Sequence, residues 1–81
     1  MTWNEQDGAL CKEVRTPDFL SAFARVQALV EPAERLNHHP DIAFGWGYVK
    51  VTLRTHDAGR VTEKDHQLAA LIDEAWVGFC D

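Results

Sequence analysis

The sequence predicts an α+β fold: a four-stranded antiparallel sheet with helices packed on one face, in the order strand-strand-helix-strand-strand-helix. Three observations predict it. Segment 48–55 alternates Val49, Val51 and Leu53 with Lys50, Thr52 and Arg54, a period of two with one buried face. Asp7-Gly8 separates two short segments and suits a tight hairpin turn, because Gly takes positive φ at no steric cost. Two longer segments place apolar residues three and four apart, the mark of one-sided helices that must cover a sheet.

Segments 3–6 and 9–15 form the first hairpin, with Leu10, Lys12 and Val14 on one face and Cys11, Glu13 and Arg15 on the other. Thr16-Pro17-Asp18 reads as a helix start: Thr16 as N-cap, Pro17 in the first turn, Asp18 at the positive end of the dipole. Phe19, Phe23, Val26, Val30 and Ala33 give this helix an apolar stripe, and the pattern runs to about Leu36. Pro32 falls inside it and must either kink the helix or restart it. Segments 42–46 and 48–55 make the second hairpin, with Gly45 and Gly47 flanking Trp46 at the turn. Thr62 opens the last helix, whose stripe is Leu68, Leu71, Ile72, Ala75 and Trp76.

Composition bounds the function. Eighty-one residues with no repeat or linker make a single domain, 1–81. A chain this short buries only roughly 60–65% of its unfolded surface, which makes pairing with another copy a natural remedy. Thirteen acidic against eight basic residues give a net charge of −5 and no basic stripe, which disfavours direct contact with nucleic acid. Cys11 and Cys80 lack Cys-x-x-Cys spacing, as free thiols of a reducing compartment do. The start has no signal-peptide pattern, and no apolar run approaches the roughly 20 residues of a membrane span. The expected location is the cytoplasm.

Chemistry concentrates in the second half, which holds all four histidines. His38 and His39 lie in Asn37-His38-His39-Pro40 where the first helix stops, and His56 closes the fourth strand. Both places are element ends, where loops present side chains to ligands. Plainer readings stand beside these. A His pair at a helix C-terminus also favours the dipole. Asp65, three residues after Thr62, suits a capping box. Glu34 and His66 read as solvated residues and Trp46 as a packing residue. Three histidines invite zinc, but no carboxylate or Cys stands at ligand spacing on the same element. Gly-rich phosphate loops and nucleophile motifs are lacking, so imidazole acid–base work is the chemistry within reach.

These residues resemble the pterin-4a-carbinolamine dehydratase family. The family pattern is an acidic residue, three others, His-His-Pro, a short gap, an aromatic, nine others, a His, and a downstream Asp. Glu34, His38-His39-Pro40, Trp46, His56 and Asp65 stand at those spacings, and the likeness extends from Trp3 to Ala75. The resemblance implies loss of water from 4a-hydroxytetrahydrobiopterin to give quinonoid dihydropterin, without metal or cofactor. It makes His38 and His56 the acid–base pair. His39 would hold the pterin, with Pro40 shaping the pocket and Thr55, His56, Asp57 and Ala58 lining its other side. Glu34 and Asp65 would orient the histidines. Family members form dimers or tetramers, so a homo-oligomer is implied as well.

Two departures support a second reading. Segment 43–48 differs from the family's usual strand-turn, and the tail 76–81 is apolar enough to offer a partner surface. Dehydratase-like relatives act as RuBisCO assembly factors, and an animal member acts as a transcriptional coactivator, so the alternative is a protein-binding member of the fold. Many members also carry a leading helix, whereas this chain opens on the first strand. Pterin handling linked to molybdopterin would share the same site.

Overall fold

The computed structural model describes residues 3–79. It contains seven elements: β1 (Asn4–Gln6), β2 (Ala9–Arg15), α1 (Phe19–Gln27), α2 (Val30–Leu36), β3 (Asp41–Gly45), β4 (Tyr48–Leu53) and α3 (Glu63–Ala75). The four strands form one antiparallel sheet in the order β1-β2-β4-β3, with the helices on one face, so the α+β expectation holds.

The first hairpin turns at Asp7 (φ 51°) and Gly8 (φ 76°), the two positive φ values of a turn whose twist matches that of its strands. A Cβ on Gly8 would lie 3.1 Å from the Gly59 carbonyl oxygen, so this turn also touches the loop after β4. The second hairpin turns at Trp46-Gly47. Gly45 lies within β3, and a Cβ there would sit 2.8 Å from the Tyr48 ring, which occupies the space a side chain would need. As the alternation predicts, Val49, Val51 and Leu53 are buried, opposite Val14, Lys12 and Leu10 of β2.

The first helix differs from expectation in three ways. Its N-cap is Asp18, not Thr16: Asp18 is extended (φ −161°) and its carboxylate accepts the Ser21 N–H at 2.7 Å. Thr16 still belongs to the sheet end, where its N–H donates to the Gly47 carbonyl at 3.0 Å, and Pro17 therefore precedes the cap. Second, the helix does not run through to Leu36. It stops at Gln27 and restarts at Val30, and Pro32 occupies the first turn of α2, where a missing N–H is harmless. The break falls at residue 28, whose carbonyl the Pro32 ring would strike in a continuous helix.

Third, the buried face matches the predicted stripe only at Val26 and Ala33. Ala22, Arg25 and Leu29 are buried there, with Ala33 following on α2, whereas Phe19 and Phe23 remain 53% and 43% exposed and Val30 is exposed too. Ala22 is fully buried, which lets α1 lie close to the strands. The two Phe rings instead lean over the sheet edge onto Phe44 of β3, with centroids 5.5 and 6.4 Å away.

In α3 the buried residues are Asp65, Leu68, Ala69 and Ile72, while Leu71 and Ala75 are half-buried toward α2. The tail corrects another expectation. Trp76 is buried, not a partner surface: its indole N–H donates to the Arg25 carbonyl at 3.1 Å, and the Arg25 guanidinium lies 5.1 Å from the centroids of both Trp76 and Phe79. Val77 is exposed, and Cys80 and Asp81 lie outside the described residues. Cys11 is a free thiol. Lys12, 8% exposed, is compensated by the Asp73 carboxylate at 2.6 Å, which also accepts the Trp3 indole N–H.

Among the described residues no helix is long and apolar enough to cross a membrane.

Candidate functional site

The paired histidines owe their directions to the way α2 ends. Asn37 is left-handed (φ 50°, ψ 43°), a conformation Asn tolerates better than most residues. The Asn37 N–H donates to Glu34 O at 3.2 Å and the His38 N–H to Ala33 O at 3.0 Å, the paired bonds of a Schellman ending. The chain then leaves the helix axis abruptly, sending His38 inward and His39 outward.

His38 is 12% exposed, and its Nε2 lies 2.6 Å from Oδ1 of Asp65, which is fully buried in the first turn of α3. The other Asp65 oxygen, Oδ2, accepts the Thr55 hydroxyl at 2.9 Å and the Thr62 backbone N–H at 2.9 Å. The capping box anticipated from Thr62 and Asp65 is therefore present, and the same carboxylate also holds a histidine. Asp65 thus caps α3 and bonds His38 at once. Burial pushes its pKa up, but hydrogen bonds from His38, Thr62 and Thr55 outweigh burial and leave it below the ordinary 3.8.

His39 contrasts with this. Its Nε2 meets Glu34 Oε2 at 2.6 Å, but both side chains are more than half exposed. Water screens such a pair, which contributes about 0–1 kcal/mol and orients the ring only loosely. His56 sits in the turn 55–60, closed by the Gly59 N–H on Thr55 O at 2.9 Å and by positive φ at Gly59. It is exposed.

These pieces border one open cleft of about 520 Å³, within the usual size range for a small-molecule site. His38, His39 and Pro40 form one wall, and Thr55, His56 and Asp57 the other. Ala58, expected on that second wall, does not line the cleft; it faces solvent within the turn. Trp46 follows β3 and is 70% exposed, so it does not pack as expected, and it does not line the cleft. Glu34 borders instead a neighbouring apolar groove that shares His39 and Pro40.

Four cleft residues were missing from the expected set: Asn37, Asp41, Arg54 and Lys64. Arg54 had a legible signal, since it adjoins Thr55 at the strand end, and Lys64 adjoins Asp65. Thr62, a helix cap by its place in the sequence, also sets its hydroxyl 2.6 Å from that of Thr55. Among the described residues no group of three or more His, Cys, Asp or Glu side chains converges as a metal site.

A helix-backed antiparallel sheet, with three histidines along one open cleft and a buried carboxylate bonded to one of them, defines a small α+β protein with a polar cleft. Comparison with known proteins narrows the class. The model of the pterin 4 alpha carbinolamine dehydratase family matches residues 1–75, and the chain belongs to that family. It is 47% identical over 72 residues to a Trichormus variabilis protein named for this dehydratase, covering 89% of this chain and 77% of the relative. A Mycobacterium sp. (strain KMS) protein of the same name is 46% identical with the same coverage. Among solved structures, a transcriptional coactivator/pterin dehydratase from Brucella melitensis superposes with a TM-score of 0.82 at 32% identity, covering 90% of this chain and 80% of that one. A pterin dehydratase-like protein described as a RuBisCO assembly factor in the alpha-carboxysome gives a TM-score of 0.76 at 28% identity, with 93% and 89% covered.

Proposed function

We propose that this chain dehydrates a 4a-hydroxytetrahydropterin, of which 4a-hydroxytetrahydrobiopterin is the family's substrate, to the quinonoid dihydropterin. One observation carries the reading: His38, His39 and His56 border a single cleft, with a buried carboxylate bonded behind His38. The reaction loses water without redox change. The C4a–O bond breaks, a proton joins the departing oxygen, the N5 proton leaves and an N5=C4a double bond forms. One group must give a proton and another must take one, and imidazoles do both near neutral pH. His38 and His56 form that pair, His39 and Pro40 hold the pterin, and Thr55 and Asp57 complete the opposite wall. No cofactor takes part in the reaction as the family resemblance implies it.

The test is the rate at which a 4a-hydroxytetrahydropterin disappears with the wild type and with His39→Ala. Acceleration by the wild type, lost in the variant, supports the reading; a wild-type rate equal to buffer removes it. The same reading treats 1–81 as one domain that self-associates as a dimer or tetramer in the cytoplasm. Sedimentation velocity checks the assembly.

A second reading, a protein-binding assembly factor or coactivator, is favoured by the exposed apolar face. Phe19, Leu20, Phe23 and Val30 lie on the outside of α1 and α2. In the tail, Trp76 is buried while Val77 stays exposed. Pull-downs with the wild type and with Phe19→Ser/Phe23→Ser test this reading, and identical captured partners would remove the face from consideration.

A further inference from the structure

We propose that Thr55 and Thr62 are positioning residues: their hydroxyls form a one-way donor chain onto Asp65 that holds neutral His38 in its Nε2–H form, with Nδ1 left as the proton acceptor offered to a ligand. The proposal rests on the acid–base reading above but adds which nitrogen acts and what sets it.

The direction of the chain follows from counting hydrogens. An ionised carboxylate accepts and cannot donate, and a threonine hydroxyl has one proton. Thr55 Oγ1 gives its proton to Asp65 Oδ2 at 2.9 Å. In the 2.6 Å contact between the two hydroxyls, Thr62 must then be the donor and Thr55 the acceptor. With the Thr62 backbone N–H also on Oδ2 at 2.9 Å, that oxygen receives two donors. Oδ1 is left for the ring, 2.6 Å from His38 Nε2. Three donors around a fully buried carboxylate favour its ionised form. The proton of the short contact therefore belongs to Nε2, and the neutral ring keeps its lone pair on Nδ1.

Nδ1 is also the nitrogen a ligand can reach. Among the described residues no buried side-chain nitrogen or oxygen lacks a partner, and the ring borders the cleft. In the dehydration, Nδ1 accepts the N5 proton while Asp65 stabilises the imidazolium that forms. His56 shows the contrast: its side chain is exposed in the turn after β4. Loss of the Thr55 hydroxyl leaves Asp65 Oδ2 short of a donor and the Thr62 hydroxyl without its acceptor. His38 then samples both tautomers and a wider range of ring angles.

Two measurements test this, one without substrate. Two-bond nitrogen–proton spectra of ¹⁵N-histidine-labelled protein at a pH where the rings are neutral report each tautomer, with His38 identified by its loss in His38→Gln. The expected result is the Nε2–H form in the wild type and in Thr55→Ser, and an averaged pattern in Thr55→Val. In turnover of a 4a-hydroxytetrahydropterin, Thr55→Val is expected to lose about tenfold in kcat/KM, the equivalent of one hydrogen bond to a charged group, with Thr55→Ser restoring most of it. An Nδ1–H form of His38 in the wild type overturns the proposal whether or not any variant folds. A tautomer unchanged in folded Thr55→Val also overturns it. An inactive wild type with the expected spectra in all three proteins would remove the enzymatic reading and leave the positioning role supported.

Discussion

Replacing Asp65 with Asn preserves shape and removes charge, which makes it the sharpest probe of the buried network. The native carboxylate accepts three hydrogen bonds, from His38, Thr55 and the Thr62 backbone, while wholly shielded from water. A carboxamide offers one accepting oxygen and an NH₂ that must face a donor. At least one strong bond is lost and one buried donor is left unmatched. Hydrogen bonds to charged groups contribute about 1.5–3 kcal/mol each, so Asp65→Asn is expected to destabilise the fold by about 2–4 kcal/mol at pH 7. At about 4–8 °C per kcal/mol for a domain of this size, Tm falls by roughly 8–32 °C. The pH dependence fixes the cause. The folded-state pKa of Asp65 lies below its ordinary value of 3.8, so its contribution is full above that value and is lost as pH falls through the folded pKa. Urea unfolding of both proteins at pH 7, 4 and 3 should show the gap intact at pH 7 and narrowing below about pH 4. A gap independent of pH, or a variant as stable as the wild type, would show that the Asp65 charge does not stabilise the fold.

Other substitutions probe the packing. Leu29→Ala, at a fully buried position joining α1 and α2, should cost about 2–5 kcal/mol in urea unfolding, whereas Phe19→Ala on the exposed face should cost clearly less. Ala22→Leu should cost about 1–3 kcal/mol, because the close approach of α1 to the sheet leaves no room for three more carbons. For Lys12, truncation to Ala removes the ion pair with Asp73 and vacates the space beside Trp3 and Trp76, with an expected loss of about 1–3 kcal/mol by thermal unfolding. Lys12→Met keeps the volume and should recover most of that loss.

Strand content was legible wherever one face is buried and its neighbour is wet, as in Val49-Lys50-Val51-Thr52-Leu53, because alternation reports two-sided environments directly. The Asp7-Gly8 turn was legible for a similar reason: its chemistry is local. The stripe of α1 misled because burial there follows approach distance rather than hydropathy. Ala22 and Arg25 are the buried residues of α1, one by being small and the other by laying its guanidinium over Trp76, while larger Phe rings lean onto Phe44. The exposed Trp46 is a parallel case, since spacing places an aromatic in the chain without saying which end of the strand it occupies.

At the cleft the division is the same. Residue types and spacings alone carry the chemical inventory: two histidines at a helix end, a third after a strand, and an acid in a capping box. Those facts depend on residue type and short spacing. Only the tertiary structure decided that Asp65 meets His38 across 27 positions, that Glu34 serves the exposed His39, and that Arg54 and Lys64 join the cleft. Such pairings are set by how α2 ends, how β4 stops and where α3 begins, and a chain closes those long loops only when the whole sheet and its helices have packed.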